Sequence, residues 1–348
     1  MTHPRDVLLG AAVVASLPVC DHYCGVEKRM IKSLALQAEL TQEFGSCVFD
    51  VTLDCEDGAP VGAEKEHAFM VLALINQGQA AIENEMHANA SRVAVRVHPV
   101  DHPAFEGDVK IIVGGAAHRL CHVMIPKVDS VADVQRAVQS IDRAVQSTQR
   151  RTPLPIHVLI ESPKAVQSVT DIVSHPRVQS ASFGLMDFVS AHGGLIPASA
   201  MGTAATEATV EFDQFSHPMV MRAKLEISAA CHAAGKVASH CVVTEFKNTS
   251  VLEVAARRAS RALGFGRMWS IHPDQIRPIL KAFAPNEAEV EHASRIVRAA
   301  YAADWAPISM DGTLHDRASY RYFWQTLVRA HQTGMLRSGD SAQQFFQF

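Results

Sequence analysis

The stretch "IHVLIESPKAV", residues 156–166, decides how the chain is read. A short apolar run ends on a carboxylate, Glu161, and Ser162 and Pro163 follow at once. A strand buried on both faces reads as a continuous apolar run, and it is short. A glutamate closing such a run must stand at an edge of the buried layer.

The same grammar recurs along the chain. Strand-like runs occupy 8–17, 47–54, 92–98, 122–128, 155–161, 180–187, 236–243 and 265–272. Amphipathic helical patterns lie between them. "EKRMIKSLALQAELTQEF" (27–44) repeats its apolar residues at three- and four-residue spacing. "SVADVQRAVQSIDRAVQST" (130–148) opens with Ser130 as a cap and Asp133 three residues on. "NTSVLEVAARRASRAL" (248–263) follows the seventh run in the same way. Strand then helix, eight times, predicts a (β/α)8 TIM barrel. An open doubly wound sheet usually has fewer strands, and no G-x-G-x-x-G follows the first run. The reading is a barrel domain over residues 1–300 and a C-terminal helical extension over 301–348, with a break in the extension at 306–316.

The bulk numbers agree. The chain has 348 residues, 48% of them hydrophobic and 20% charged, with a net charge of −4. No basic surplus exists to neutralise phosphates, so a nucleic-acid partner is not expected. No apolar run approaches the ~18 residues of a membrane span. The apolar "AAVVAS" (11–16) lacks the basic start of a secretory leader. Seven cysteines, an odd number, fit a reduced cytoplasmic protein. Cys20-x-His22-x-Cys24 has ligand-type residues but no second cluster, so it reads as ordinary thiols and a loop histidine.

Barrel chemistry sits at the C-terminal ends of the strands. The runs end in Asp54, Glu56 and Asp57, in Arg96 and His98, in Lys127, in Glu161, in Asp187 and in His272. Glu161 and Asp187 stand at the ends of adjacent strands about 4.8 Å apart. Two carboxylates on that spacing suit Mg²⁺, which takes one or two protein carboxylates and keeps its waters. Arg96 breaks the apolar run of "VAVRVH" and can hold a substrate carboxylate, or pair with Glu56 or Asp57, or both. Lys127 serves substrate binding or structural pairing. His272, before Pro273, reads as a structural rim residue.

These residues carry a family likeness. "LDCEDGAP" (53–60) resembles the "LDLEDAVAP" signature of the HpcH/HpaI aldolase/citrate lyase family, the citrate lyase β-subunit-like (CitE-like) proteins. "VAVRVH" (93–98), "VMIPKVDSVADV" (123–134), "LIESPKAV" (159–166) and "FGLMDF" (183–188) resemble its later motifs. "LGFGRMWSIHPDQIRPILKAFAPNEAEVEHASRIV" (263–297) is similar to its closing block. The likeness covers about residues 47–330, in order.

The resemblance implies a TIM barrel and a Mg²⁺-dependent carbon–carbon lyase. Such an enzyme makes or breaks a 3-hydroxyacyl-CoA, such as malyl-CoA or citramalyl-CoA, or a hydroxy acid, with release of a 2-oxo acid. By motif, Glu161 and Asp187 would hold the metal. Arg96, with Lys127 and Glu161, would hold the 2-oxo acid. Glu56 and Asp57 would stand beside the metal's waters. "GTLHD" (312–316) resembles the family's C-terminal motif and makes Asp316 the acid/base, lent by a neighbouring subunit. A homo-oligomer, trimer or hexamer, follows from that. The alternatives are a class II pyruvate aldolase acting on free 4-hydroxy-2-oxo acids, and a non-catalytic 2-oxo-acid-binding barrel. The chain departs from the family twice. No arginine leads its first strand, Arg5 being a poor substitute, and His240 stands where an aspartate is frequent.

Overall fold

A computed structural model describes residues 2–9, 17–82, 91–203, 212–336 and 340–346. Eight parallel strands close into a barrel in sequence order. They are β1 (Cys20–Cys24), β2 (Phe49–Asp54), β3 (Val93–Arg96), β4 (Leu120–Ile125), β5 (Ile156–Ile160), β6 (Val178–Phe183), β7 (Val237–His240) and β8 (Arg267–Ser270). β8 pairs with β1 and closes the ring. Helices fill the crossovers, among them Glu27–Phe44, Val131–Val145 and Thr249–Leu263.

One strand is not where hydropathy places it. The first barrel strand is Cys20–Cys24, not the run 8–17. Residues 4–8 form a helix, and 10–16 lie outside the described residues. Cys20, His22 and Cys24 are therefore strand residues, not loop residues, and all seven cysteines are free. "CDHYC" is polar at its centre, yet Asp21 and His22 are each only 1% exposed. Both find partners, although among the described residues Asp21 Oδ2 has no hydrogen bond and only the Arg267 guanidinium near it. The Thr52 hydroxyl donates to Asp21 at 2.7 Å. His22 faces the helix Glu27–Phe44 and bonds Ser33 and Ser270, both at 3.0 Å.

Strand alternation sorts side chains into a helix-facing layer and a bore. Phe49, Val51 and Leu53, and likewise Ile156, Val158 and Ile160, join the large apolar cluster between strands and helices. Asp50, Thr52, Asp54, His157, Leu159 and Glu161 are left for the bore. Its lower part is polar: Arg267 is fully buried, ion-paired with Asp50 and 3.4 Å from Asp21. His157 bonds Ser180 and Ser182 at 2.6 and 2.7 Å. Above lies an apolar layer of Met124, Leu159, Val242 and Trp269, with Tyr23 against it. The charged rim stands above that.

The helices Glu287–Ala302 and Arg317–Gln332 build a second apolar cluster, and the N-terminal helix Pro4–Leu8 joins them. The break at 306–316 is a hairpin, β9 (Ile308–Met310) with β10 (Thr313–His315). Among the described residues no helix is long and apolar enough to cross a membrane.

Candidate active site

β2 ends on Asp54, which has no exposed surface. Its carboxylate takes both edges of the Arg96 fork, from Nε and Nη2, each at 2.6 Å. It also accepts the backbone N–H of Glu56 at 3.0 Å and of Gly58 at 2.8 Å. A Cβ on Gly58 would stand 2.4 Å from that carboxylate, so only glycine fits there. Arg96 Nη1 pairs with Glu56 at 3.0 Å. The guanidinium lies over the rings of Tyr23 and Trp269, 5.1 and 5.9 Å from their centroids. Arginine has five N–H donors. Three are used here, which leaves two.

Arg96 thus pairs with Glu56 as the sequence allows, but not with Asp57. Its main partner is Asp54, which the sequence reading named only as a strand end. Strand register brings them together, since Asp54 and Arg96 are partners on neighbouring strands. Asp57 and Glu56 are instead held by the Lys127 amine, which forms a short ion pair with Glu56 and lies 3.4 Å from Asp57. These carboxylates raise the Lys127 pKa against its partial burial.

Lys127 acts twice. Its backbone sits in the left-handed region at φ 52°, which is costly for a residue with a Cβ. That turn aims its N–H at Glu161 Oε1, at 2.5 Å. Glu161 follows β5 directly and is 5% exposed. Burial and the Asp187 carboxylate push its pKa up to about 8, against the Lys127 N–H. A Cβ on Gly184 would lie 2.4 Å from the Glu161 Cβ, so the glycine of "FGLMD" makes room for the glutamate.

Asp187 is not at a strand end. β6 stops at Phe183, and Asp187 lies in the first turn of the helix Leu185–Ser190. It is half-buried, and among the described residues no side chain bonds its carboxylate. The structure therefore brings Asp54, Glu56, Arg96, Lys127 and Glu161 together, and Asp187 is close enough to act on Glu161 electrostatically.

Other expected residues lie elsewhere. Asp316 caps the helix Arg317–Gln332, and its Oδ1 accepts from Ala318 and Ser319 at 2.9 and 3.4 Å. Among the described residues none of its bonds reaches the rim. His272 caps the turn Pro273–Gln275 and stacks on Phe246 at 4.7 Å. His240 faces away from the bore, between Phe215 and Phe265.

Comparison with known proteins places the chain in a family. The family model described as HpcH/HpaI aldolase/citrate lyase matches residues 33–273. The L-malyl-CoA/beta-methylmalyl-CoA lyase of Cereibacter sphaeroides is 31% identical over 263 residues, 73% of this chain and 77% of that protein. A citrate lyase subunit beta-like protein of Deinococcus radiodurans is 28% identical over 253 residues, 73% of this chain and 78% of that one. A crystal structure of a citrate lyase from Burkholderia xenovorans superposes with a TM-score of 0.77 at 44% identity, covering 98% of each chain. Protein CitE of Mycobacterium tuberculosis, in complex with magnesium, acetoacetate and coenzyme A, shares the fold with a TM-score of 0.60 at 20% identity, over 91% of this chain and 99% of that one. The chain belongs to the HpcH/HpaI aldolase/citrate lyase family and is a carbon–carbon lyase.

Proposed function

We propose that the protein is a Mg²⁺-dependent lyase that splits a 3-hydroxyacyl-CoA of the malyl-CoA or citramalyl-CoA type into a 2-oxo acid and an acyl-CoA. One observation carries the reading. Buried Glu161 lies near enough to the Asp187 carboxylate to feel it, and burial together with that like charge pushes Glu161 up to about 8. Two hard oxygen donors with room for water fit Mg²⁺. Glu161 and Asp187 would hold it, with Glu56 and Asp57 beside its waters. When bound, the metal supplies Lewis-acid polarisation of substrate oxygens.

This chain's own groups do the rest. Arg96, fixed by Asp54, offers its two remaining N–H groups to the carboxylate of the 2-oxo acid. A guanidinium so held needs no reorganisation as charge develops on the substrate oxygens. Lys127 balances Glu56 and holds Glu161 in place through its N–H. Asp316 is the proton donor to the enolate carbon, given to a neighbouring copy's site in a homo-oligomer, a trimer or hexamer. Leu314, 74% exposed beside it, supports that role for the hairpin. The free thiols support a cytoplasmic setting.

The test is the purified protein with Mg²⁺ and malyl-CoA or citramalyl-CoA, the released 2-oxo acid being measured. Glu161→Ala should abolish metal-dependent cleavage. Retained turnover in that variant would overturn the assignment, and turnover of free 4-hydroxy-2-oxo acids alone would overturn the thioester.

A further inference from the structure

His98 is built as a carboxylate-oriented imidazole at the rim. On β3 and its continuation, Val93, Val95 and Val97 join the apolar cluster behind the barrel wall. Alternation therefore turns Ala94, Arg96 and His98 the other way, toward bore and rim. His98 Nδ1 lies 2.6 Å from Asp108 Oδ2, and its own backbone N–H donates to the same oxygen at 3.0 Å. Asp108 is 1% exposed and ends the short helix Phe105–Asp108. A carboxylate accepts only, so Nδ1 carries a hydrogen, and in the neutral ring Nε2 keeps its lone pair. The ring also stacks on His102, with centroids 4.3 Å apart. Among the described residues Nε2 has no partner, although His98 is only 8% exposed. A ring fixed by two contacts, with one nitrogen left open, is how a general base is oriented.

We propose that His98 is the base that takes the hydroxyl proton of the substrate, with Asp108 as its positioning residue. The proposal rests on the thioester-lyase reading above. His98 Nε2 accepts the hydroxyl proton. The O–H electron pair becomes the second bond of the new carbonyl, and the C–C pair passes into the thioester as its enolate. The imidazolium then gives its proton to water, while the enolate carbon takes one from the Asp316 carboxyl group of the neighbouring copy, which regains it from water. The acidic groups facing the ring are Asp108 on its short helix, Glu56 in the loop after β2 and Glu64 at the start of the helix Glu64–Ile82; His102 covers one face. Burial lowers the ring's pKa, but Asp108, Glu56 and Glu64 outweigh it and raise it above the ordinary value.

A base must be unprotonated to act. Cleavage by the parent protein should therefore fall as pH drops through the His98 pKa. His98→Gln should remove that acid limb and lower kcat about 10²- to 10⁴-fold, with the melting temperature and pyruvate binding in Mg²⁺ unchanged. Asp108→Asn should move the acid limb to lower pH and lower kcat less. A His98→Gln protein with unchanged kcat or an unchanged acid limb overturns the proposal alone. A parent protein that cleaves no 3-hydroxyacyl-CoA overturns the thioester reading and the proposal with it.

Discussion

The two ends of the barrel bore are built from the same parts and do opposite things. Asp50 and Asp54 point into the bore from one strand, β2, and each pairs with arginine. At the lower end Asp50 and Asp21 meet Arg267 and Arg92, two acids against two bases. The apolar layer of Met124, Leu159 and Trp269 separates that group from the rim. At the rim, five carboxyl groups (Asp54, Glu56, Asp57, Glu161 and Asp187) share Arg96 and Lys127 as their cations among the described residues. The balanced end serves the fold. The end with surplus negative charge is ready for a cation and an anionic substrate, which is where perturbed carboxyls gather.

Parallel substitutions should separate the two roles. Arg96→Met should lower kcat/KM for thioester cleavage at least about 10³-fold, or about 4 kcal/mol of transition-state stabilisation. Its thermal stability should fall less, because Asp54, although fully buried, keeps the backbone N–H groups of Glu56 and Gly58 as partners. Steady-state kinetics beside a melting curve decides this; a comparable loss in stability would erase the distinction. Arg267→Met should do the reverse. It strands Asp50 and Asp21 without their shared partner and should cost about 3–5 kcal/mol of stability, read by denaturant unfolding, with kcat per folded molecule unchanged.

Acid should strike the lower end and the barrel wall first. Burial holds His22 neutral, with its pKa lowered to about 4, and His122 likewise to about 3. His157 is also lowered, by burial and the neighbouring His122 and Arg267. The unfolded chain binds more protons than the folded one once pH drops below about 6.5, so stability falls from there toward about 4. Each neutral histidine contributes a loss of about 2 kcal/mol at pH 5. Asp21, raised to about 6 mainly by burial, and Glu161, raised to about 8, work in the opposite sense and offset part of it. Urea midpoints at pH 7 and pH 5 measure the balance. A midpoint that holds or rises at pH 5 would contradict neutral burial of the histidines.

Much of this was legible in the sequence because parallel strands buried on both faces announce themselves as apolar runs. β5 and β4 read that way. β1 did not, because "CDHYC" hides two polar side chains by giving each a partner far away in sequence, Thr52 for Asp21 and Ser270 for His22. Local hydropathy cannot see such partners. Glu161 and Arg96 stood out by interrupting apolar alternation. Asp187 was legible as a residue but not as helical, since "SASFGLMD" keeps its apolar character past the point where Gly184 turns the chain. The clamp of Asp54 on Arg96 needed strand register. His98 and Asp108 lie ten residues apart across a loop, and nothing in residue type alone joins them.

Lys127 carries one more consequence. Glycine would adopt its left-handed backbone at less cost and would still present the N–H that Glu161 accepts. It would not supply the amine that neutralises Glu56. The position therefore sets conformational ease against charge, and a stability-driven redesign choosing glycine there would relieve the backbone at the expense of the rim. Lysine at a backbone angle that suits glycine marks a place where selection for chemistry has overruled selection for comfort.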